Sequence, residues 1–101
     1  MSAISKRQIL DDILAHIQKE GSTFSNWYVG ITSDIKQRLF GDHQVPAKDA
    51  WFIFREAFSA NDAREVEKFI LDTYHTDGGT GGGDNTTKIV YAYKKTAHTN
   101  P

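Results

Sequence analysis

Apolar residues recur at helical spacing near the beginning of the chain. The spacing predicts an amphipathic helix, and its apolar positions are Ile9, Leu10, Ile13, Leu14 and Ile17. Ser5, with Gln8 three places later, is a candidate capping pair, and Gly21 can adopt the left-handed conformation that ends a helix. We therefore predict a helix from Ser5 to Glu20.

Three other segments are rich in aromatic and β-branched residues, which favour strands. They are Trp27–Ile31, Ala50–Phe58 and Ile89–Tyr93. The second is a nearly continuous apolar run, which is typical of a strand buried on both faces, so we place it at the centre of the sheet. The third precedes a polar segment, and we predict that it is an edge strand.

Two further helices are predicted between these strands. Ser33 can cap a short helix whose apolar side comprises Ile35, Leu39 and Phe40. A longer helix runs to about Tyr74, and its candidate N-caps are Ser59, Asn61 and Asp62. Its predicted buried side consists of Val66, Phe69, Ile70 and Thr73.

These elements predict a single domain over residues 1–101, because the apolar helix faces need a common layer to cover. The fold class is α/β (α+β), with a small central mixed or antiparallel sheet flanked by helices. The first helix occupies residues 1–21, and residues 75–87 include five glycines and are predicted to form a loop. Residues 94–101 form a polar tail.

Composition narrows the classes of function. The 101 residues include no cysteine, which excludes a disulfide framework and a thiolate zinc site and suits a cytoplasmic protein. No apolar segment approaches the roughly 20 residues that span a bilayer, so we expect no membrane partner. The net charge of −1 argues against binding nucleic acid by bulk attraction. The lysines and arginine at Lys36, Arg38, Lys88, Lys94 and Lys95 form either a local patch or an ordinary solvated surface.

Residues suited to phosphodiester chemistry follow one another in a definite order. A strand reading Tyr-Val-Gly-Ile-Thr begins at Tyr28, and Arg38 and His43 come after it. A later helix reads Ala-Arg-Glu-Val-Glu-Lys-Phe-Ile and includes Glu67, and Asn85 lies beyond it. From about residue 27 to residue 85, this order resembles the second half of the signature of the GIY-YIG endonucleases.

The resemblance implies a GIY-YIG-like domain with an added N-terminal helix, acting as a metal-dependent DNA endonuclease or nickase. Such a reaction needs a metal, a positioned water, a proton acceptor and a cationic group on the phosphate. The resemblance assigns Glu67 to Mg²⁺ or Mn²⁺, Arg38 to the phosphate, and Tyr28 and His43 to the attacking water. The expected substrate-binding residues are Thr32, Lys36 and Asn85. The expected partners are DNA and either a second protein or a second copy of the chain.

Each of these residues also has an ordinary structural interpretation. Tyr28 can be a core aromatic, Arg38 can be a surface arginine beside Lys36, His43 can be a loop histidine without a role, and Asn85 can be a turn residue. Glu67 can be a solvated carboxylate beside Arg64 or Lys68. The family also carries a first strand, Gly-Ile-Tyr, shortly before the second tyrosine, where this chain has the end of its first helix. The alternative function is therefore a catalytically inactive GIY-YIG-like domain that binds protein or nucleic acid.

Overall fold

The computed structural model describes residues 2–79 and 84–101 and contains a five-stranded mixed sheet covered by helices on both faces. The strands are β1 Ala3–Ile4, β2 Trp27–Thr32, β3 Phe52–Ala57, β4 Asp77–Gly78 and β5 Ile89–Lys94. The helices are α1 Lys6–Glu20, α2 Ala60–Tyr74, a π-helix at Lys36–Asp42 and a 3-10 turn at Phe24–Asn26. The predicted fold class is confirmed.

The strand order is β1-β3-β5-β2-β4, so the last strand of the chain lies at the centre of the sheet. Strand β5 pairs antiparallel with β2 on one side and with β3 on the other. The prediction that β5 is an edge strand is wrong, and β3 is its neighbour rather than the central strand. The reason is that Val90 and Ala92 are buried on one face while Tyr91 and Tyr93 are buried on the other.

Helices α1 and α2 cover one face of the sheet. The α1 contacts come from Ile9, Ile13 and Ile17, as the helical spacing predicted. The buried side of α2 is Ala60, Ala63, Val66, Glu67 and Ile70. Phe69 and Thr73 were also predicted to be buried on this side, and this prediction is wrong: Phe69 is 46% exposed and Thr73 is exposed. The buried stripe of α2 is therefore rotated toward Glu67.

Side chains and backbone conformation determine where the two α-helices begin and end. Ser5 Oγ accepts a hydrogen bond from the Gln8 amide at 3.2 Å, and Ser59 Oγ accepts one from the Asp62 amide at 3.1 Å. Gly21 ends α1 in the left-handed region with φ of 92°. Both helix starts and the α1 end are as predicted, with Ser59 as the cap of α2.

The π-helix covers the opposite face, where Leu39 and Val45 pack on the aromatic residues of the sheet. Its first turn is capped by Asp34, whose carboxylate accepts from the Gln37 amide at 3.2 Å, and not by Ser33, which is exposed. Among residues 2–79 and 84–101, none of the helices has the length and apolar character needed to cross a membrane.

The predicted loop and tail both contain more structure than the sequence indicated. Within residues 75–87, strand β4 pairs parallel with β2, so that Asp77 lies beside Tyr28. Residues 80–83, which hold three of the glycines, lie outside the described part of the chain. In the tail, Lys94 still belongs to β5, and the Asn100 amide donates to the His43 carbonyl oxygen at 2.7 Å.

Gly30 on β2 lies opposite Tyr91, and the tyrosine side chain passes over it. A Cβ atom added to Gly30 would lie 2.5 Å from the Tyr91 hydroxyl oxygen. We predict that Gly30→Ala lowers the free energy of unfolding by about 1–3 kcal/mol, because the buried ring has to shift. Urea denaturation monitored by circular dichroism measures this change.

Gly41→Ala is the matched control, since its added methyl group meets the flexible end of the Gln37 side chain at 2.9 Å. We expect little change in stability for this variant. Equal stability of the two variants would contradict the close packing of Tyr91 on Gly30.

Candidate functional site

Five polar and aromatic side chains meet on the face of the sheet beneath the π-helix. They are Tyr28, Arg38, His43, Tyr91 and Tyr93, and we refer to them as the tyrosine–histidine cluster. Tyr28 lies directly opposite Tyr93 in the antiparallel pair of β2 and β5, and their rings stack with centroids 5.3 Å apart. Two neighbouring strands therefore supply the three tyrosines, the π-helix supplies Arg38, and His43 is the residue directly after that helix.

The π-helical winding allows Arg38 and His43 to contact the same tyrosine. In an α-helix, residues five positions apart point about 140° away from each other. Here the His43 amide donates to the Arg38 carbonyl oxygen at 3.0 Å, which is the five-residue hydrogen bond of a π-helix. As a result, Arg38 Nε donates to the Tyr91 hydroxyl at 3.3 Å and His43 Nε2 lies 2.7 Å from the same oxygen.

The second ring nitrogen of His43 also has close partners. Nδ1 lies 2.9 Å from the Asn100 carbonyl oxygen and 3.0 Å from the Tyr93 hydroxyl. The imidazole also packs against the Tyr28 ring, with centroids 4.5 Å apart. His43 is thus buried with both nitrogens in hydrogen bonds, which excludes the interpretation of a loop histidine without contacts.

The environment of the cluster determines its protonation. Burial lowers the pKa of His43. The hydrogen bond to the Asn100 carbonyl opposes this shift, and the positive charge of Arg38 adds to it. Burial raises the pKa of Tyr91 to about 12, although the hydrogen bond from Arg38 opposes this shift. That hydrogen bond in turn raises the pKa of Arg38. At neutral pH the cluster therefore holds a neutral imidazole, a protonated phenol and a guanidinium cation.

Arg38 connects this buried network to solvent. Its side chain is 42% exposed, whereas Tyr91 and Tyr93 are fully buried. One terminal nitrogen of the guanidinium pairs with Asp42 at 3.2 Å. A guanidinium that is anchored at Nε and partly open to solvent is suited to bind a phosphate, because its planar donors match two phosphate oxygens.

Glu67 comes from α2, on the other face of the sheet from the π-helix. It is 8% exposed, and no hydrogen bond or ion pair within the described ranges 2–79 and 84–101 engages its carboxylate. Burial raises the pKa of Glu67 to about 7, and the charge of Arg64 acts in the opposite direction. Burial is the largest cause of the raised pKa of Tyr28 and of Tyr91, and the negative charge of Glu67 is a smaller cause in the same direction. The structure therefore brings Tyr28, Arg38 and His43 into one cluster, and no hydrogen bond or ion pair within the described ranges joins Glu67 to any of them.

The three expected substrate-binding residues lie outside the cluster. Thr32 Oγ1 accepts from the Asp34 amide at 3.1 Å, so it helps to begin the π-helix. Lys36 is exposed on that helix, and Asn85 is exposed in the turn after Asp84. In the part of the chain that is described, no hydrogen bond, ion pair or ring contact joins these three residues to Arg38 or His43.

The expected basic patch is partly neutralised by ion pairs. Lys94 contacts Glu20 at 2.7 Å, and Lys95 contacts Asp77 at 3.3 Å. Lys36 remains exposed near the beginning of the π-helix. Arg38 is therefore the cation best placed to act together with the cluster.

Sequence reasoning placed no second tyrosine near Tyr28, whereas the structure places Tyr91 and Tyr93 there. The signal that could have identified them is the Tyr-Ala-Tyr alternation of β5, which puts both rings on one face of a strand. The participation of Asn100 had no comparable signal, because it contacts His43 through its backbone.

Within residues 2–79 and 84–101, no group of three or more histidine, aspartate or glutamate side chains is placed to hold a metal ion. Glu67 is therefore considered for a divalent ion as a single carboxylate. Comparisons of the chain with protein-family models, with curated proteins and with solved structures found no match. The resemblance to the GIY-YIG endonucleases stays a prediction from the residues named above.

The raised pKa of Glu67 predicts an unusual dependence of stability on pH. In the unfolded chain this carboxyl ionises near 4.5, whereas in the folded protein it ionises near 7. Between these values, ionisation favours the unfolded chain, so the folded protein loses up to about 3 kcal/mol as the pH rises. We predict that Glu67→Gln becomes progressively more stable than the wild type from pH 5 to pH 8, measured by urea denaturation with a chelator.

Glu65→Gln is the control on the same helix. A hydrogen bond from Lys6 lowers the pKa of Glu65, so this substitution should not produce the same trend. Parallel stability profiles for the wild type and Glu67→Gln would show that Glu67 ionises normally in the folded protein.

Proposed function

We propose that this chain is a metal-dependent endonuclease or nickase that hydrolyses DNA phosphodiester bonds. The observation that carries the proposal is the state of Glu67. Its side chain is 8% exposed and has no hydrogen bond or ion pair within the described ranges, and an ionised carboxylate in such a place is costly to keep. Such groups are typical of functional sites, and this one is the residue that the sequence motif assigns to the metal.

A divalent cation fits Glu67 if water and substrate phosphates supply the rest of its ligands. Mg²⁺ keeps several of its waters and takes other ligands from substrate phosphates, so one protein carboxylate is sufficient to hold it during the reaction. When bound, the ion would supply a positive charge that stabilises the negative charge developing on the scissile phosphate. The positive charge would also favour the ionised form of Glu67, which removes the cost of burying this group.

The chain's own residues supply the rest of the chemistry in this proposal. Arg38 binds the phosphate, and its orientation is fixed by the hydrogen bond from its Nε to Tyr91. Tyr91 also lies on the antiparallel neighbour of the strand that carries Tyr28. Tyr28 thus has a neighbouring tyrosine on an antiparallel strand, although the motif order lacks the first tyrosine of the family. The role of Tyr91 in this proposal is to hold Arg38, since its own side chain is fully buried.

A catalytically inactive domain that binds protein or nucleic acid is the second candidate. It is favoured by the complete burial of Tyr91 and Tyr93, whose hydroxyls already have partners inside the protein. A network of this kind also stabilises a fold without any reaction. Phe58 and Phe69 are large apolar side chains exposed to solvent, which suits a protein partner.

A plasmid-nicking assay with Mg²⁺ or Mn²⁺ tests the first candidate. We predict that the wild type nicks DNA when either ion is present, and that Glu67→Ala reduces the rate by about 10²-fold or more. The reason is that the metal loses its protein ligand. Circular dichroism and thermal unfolding of each variant check that the loss of activity is not a loss of folding.

Glu65→Ala is the matched control, because Glu65 faces solvent and pairs with Lys6 at 2.5 Å. It should nick DNA as the wild type does. Equal activity of all three proteins would assign the cleavage to a contaminant or to another site. No cleavage by the wild type, with both ions and with single-stranded and double-stranded DNA, would favour the inactive binding domain.

A further inference from the structure

The segment after β5 turns back and places Asn100 against His43. Thr96 and Thr99 close this turn: the Thr99 amide donates to the Thr96 carbonyl oxygen at 3.2 Å, and the Thr96 amide donates to Thr99 Oγ1 at 3.0 Å. The next residue then makes two contacts with one partner. The Asn100 amide donates to the His43 carbonyl oxygen at 2.7 Å, and the Asn100 carbonyl oxygen lies 2.9 Å from His43 Nδ1.

The second contact decides which imidazole nitrogen carries the proton. A backbone carbonyl oxygen can only accept, so a neutral His43 must carry its proton on Nδ1 in order to satisfy Asn100. Nε2 then has a free lone pair and accepts the hydroxyl proton of Tyr91 at 2.7 Å. The Tyr91 oxygen in turn accepts from Arg38 Nε. One continuous hydrogen-bonded chain therefore joins Asn100, His43, Tyr91 and Arg38.

Tyr93 competes with Asn100 for the same nitrogen. Its hydroxyl lies 3.0 Å from Nδ1 and could donate to it if that nitrogen had no proton. His43 would then carry its proton on Nε2 and donate it to Tyr91. In that arrangement two donors, His43 and Arg38, would converge on the Tyr91 oxygen, and the phenol would lose its own acceptor. The two tautomers therefore differ in how firmly Arg38 is held.

We propose that Asn100 is a positioning residue that acts through its backbone: it holds His43 in the tautomer protonated on Nδ1, so that Tyr91 donates to Nε2 and accepts from Arg38. The consequence for cleavage rests on the proposed endonuclease function, since it concerns the orientation of the Arg38 guanidinium toward a phosphate. The tautomer itself does not depend on that function. Which nitrogen of a neutral histidine carries the proton is commonly determined by the hydrogen bond that the other nitrogen makes. Here the partner in that hydrogen bond belongs to a segment distant in sequence.

The imidazole nitrogen signals of ¹⁵N-labelled protein at neutral pH test this proposal, because they distinguish a protonated from an unprotonated ring nitrogen. The His43 signals are assigned by comparison with His43→Asn. In the wild type we expect Nδ1 to be protonated and Nε2 to be the acceptor. A variant that ends at Thr96 lacks Asn100, and in it we expect the opposite pattern, with Nδ1 accepting from Tyr93.

Two substitutions serve as controls, and the second is made in both the full and the shortened chain. Asn100→Ala keeps both backbone contacts and should leave the His43 pattern of the wild type unchanged. Tyr93→Phe in the full chain should also leave it unchanged, because Asn100 alone then contacts Nδ1. In the shortened chain, Tyr93→Phe should remove the preference for protonation on Nε2, since the competing donor is gone.

A wild-type His43 protonated on Nε2 would overturn the proposal, whether or not the shortened variant folds. So would a shortened, folded variant with the wild-type pattern. If the wild type nicks DNA, we expect the kcat of the shortened variant to fall by up to about tenfold. Its KM for DNA should change much less. The two proposals fail separately. If the wild type does not nick DNA but the tautomer changes as expected, the role of Asn100 is supported and the endonuclease function is not.

Discussion

The antiparallel pairing of β5 with β2 on one side and β3 on the other is the interaction on which the rest of the structure depends. It places Val90 and Ala92 under the two α-helices, and it places Tyr91 and Tyr93 under the π-helix. A shift of one residue in this register would exchange the two faces and bury the tyrosines against aliphatic side chains without partners for their hydroxyls. The same pairing that builds the core therefore also builds the polar cluster.

The cluster combines a requirement for packing with a requirement for polar contacts. Three phenols and an imidazole in one buried layer are stable only when each hydroxyl and ring nitrogen has a partner. The winding of the π-helix brings Arg38 and His43 to the Tyr91 hydroxyl, and Asn100 and Tyr93 contact the other nitrogen of His43. Glu67 lies outside this network, because its side chain is 8% exposed and no hydrogen bond or ion pair within the described ranges engages its carboxylate.

Periodicity and local chemistry were sufficient for the elements whose signals are local. The extent of α1, the Ser59 cap and the three main strands follow from spacing and capping residues. The central position of β5 did not follow, because strand order depends on contacts between distant segments. The π-helical winding was equally hidden, since Lys36–Asp42 has the apolar spacing of an ordinary short helix. The cluster could therefore be predicted only in part: Arg38 and His43 were identified, and their common partner Tyr91 was not.

The position of β5 has a consequence for how the chain is made. The two strands that flank it, β2 and β3, have no pairing with each other in the sheet order, so each keeps an open edge until β5 is inserted between them. During synthesis on the ribosome, these edges stay unpaired until at least Lys94 has left the exit tunnel. Sheet formation is therefore a late, non-local event, of the kind that slows folding and exposes strand edges to association. Chaperone capture of the nascent chain should be concentrated in this interval.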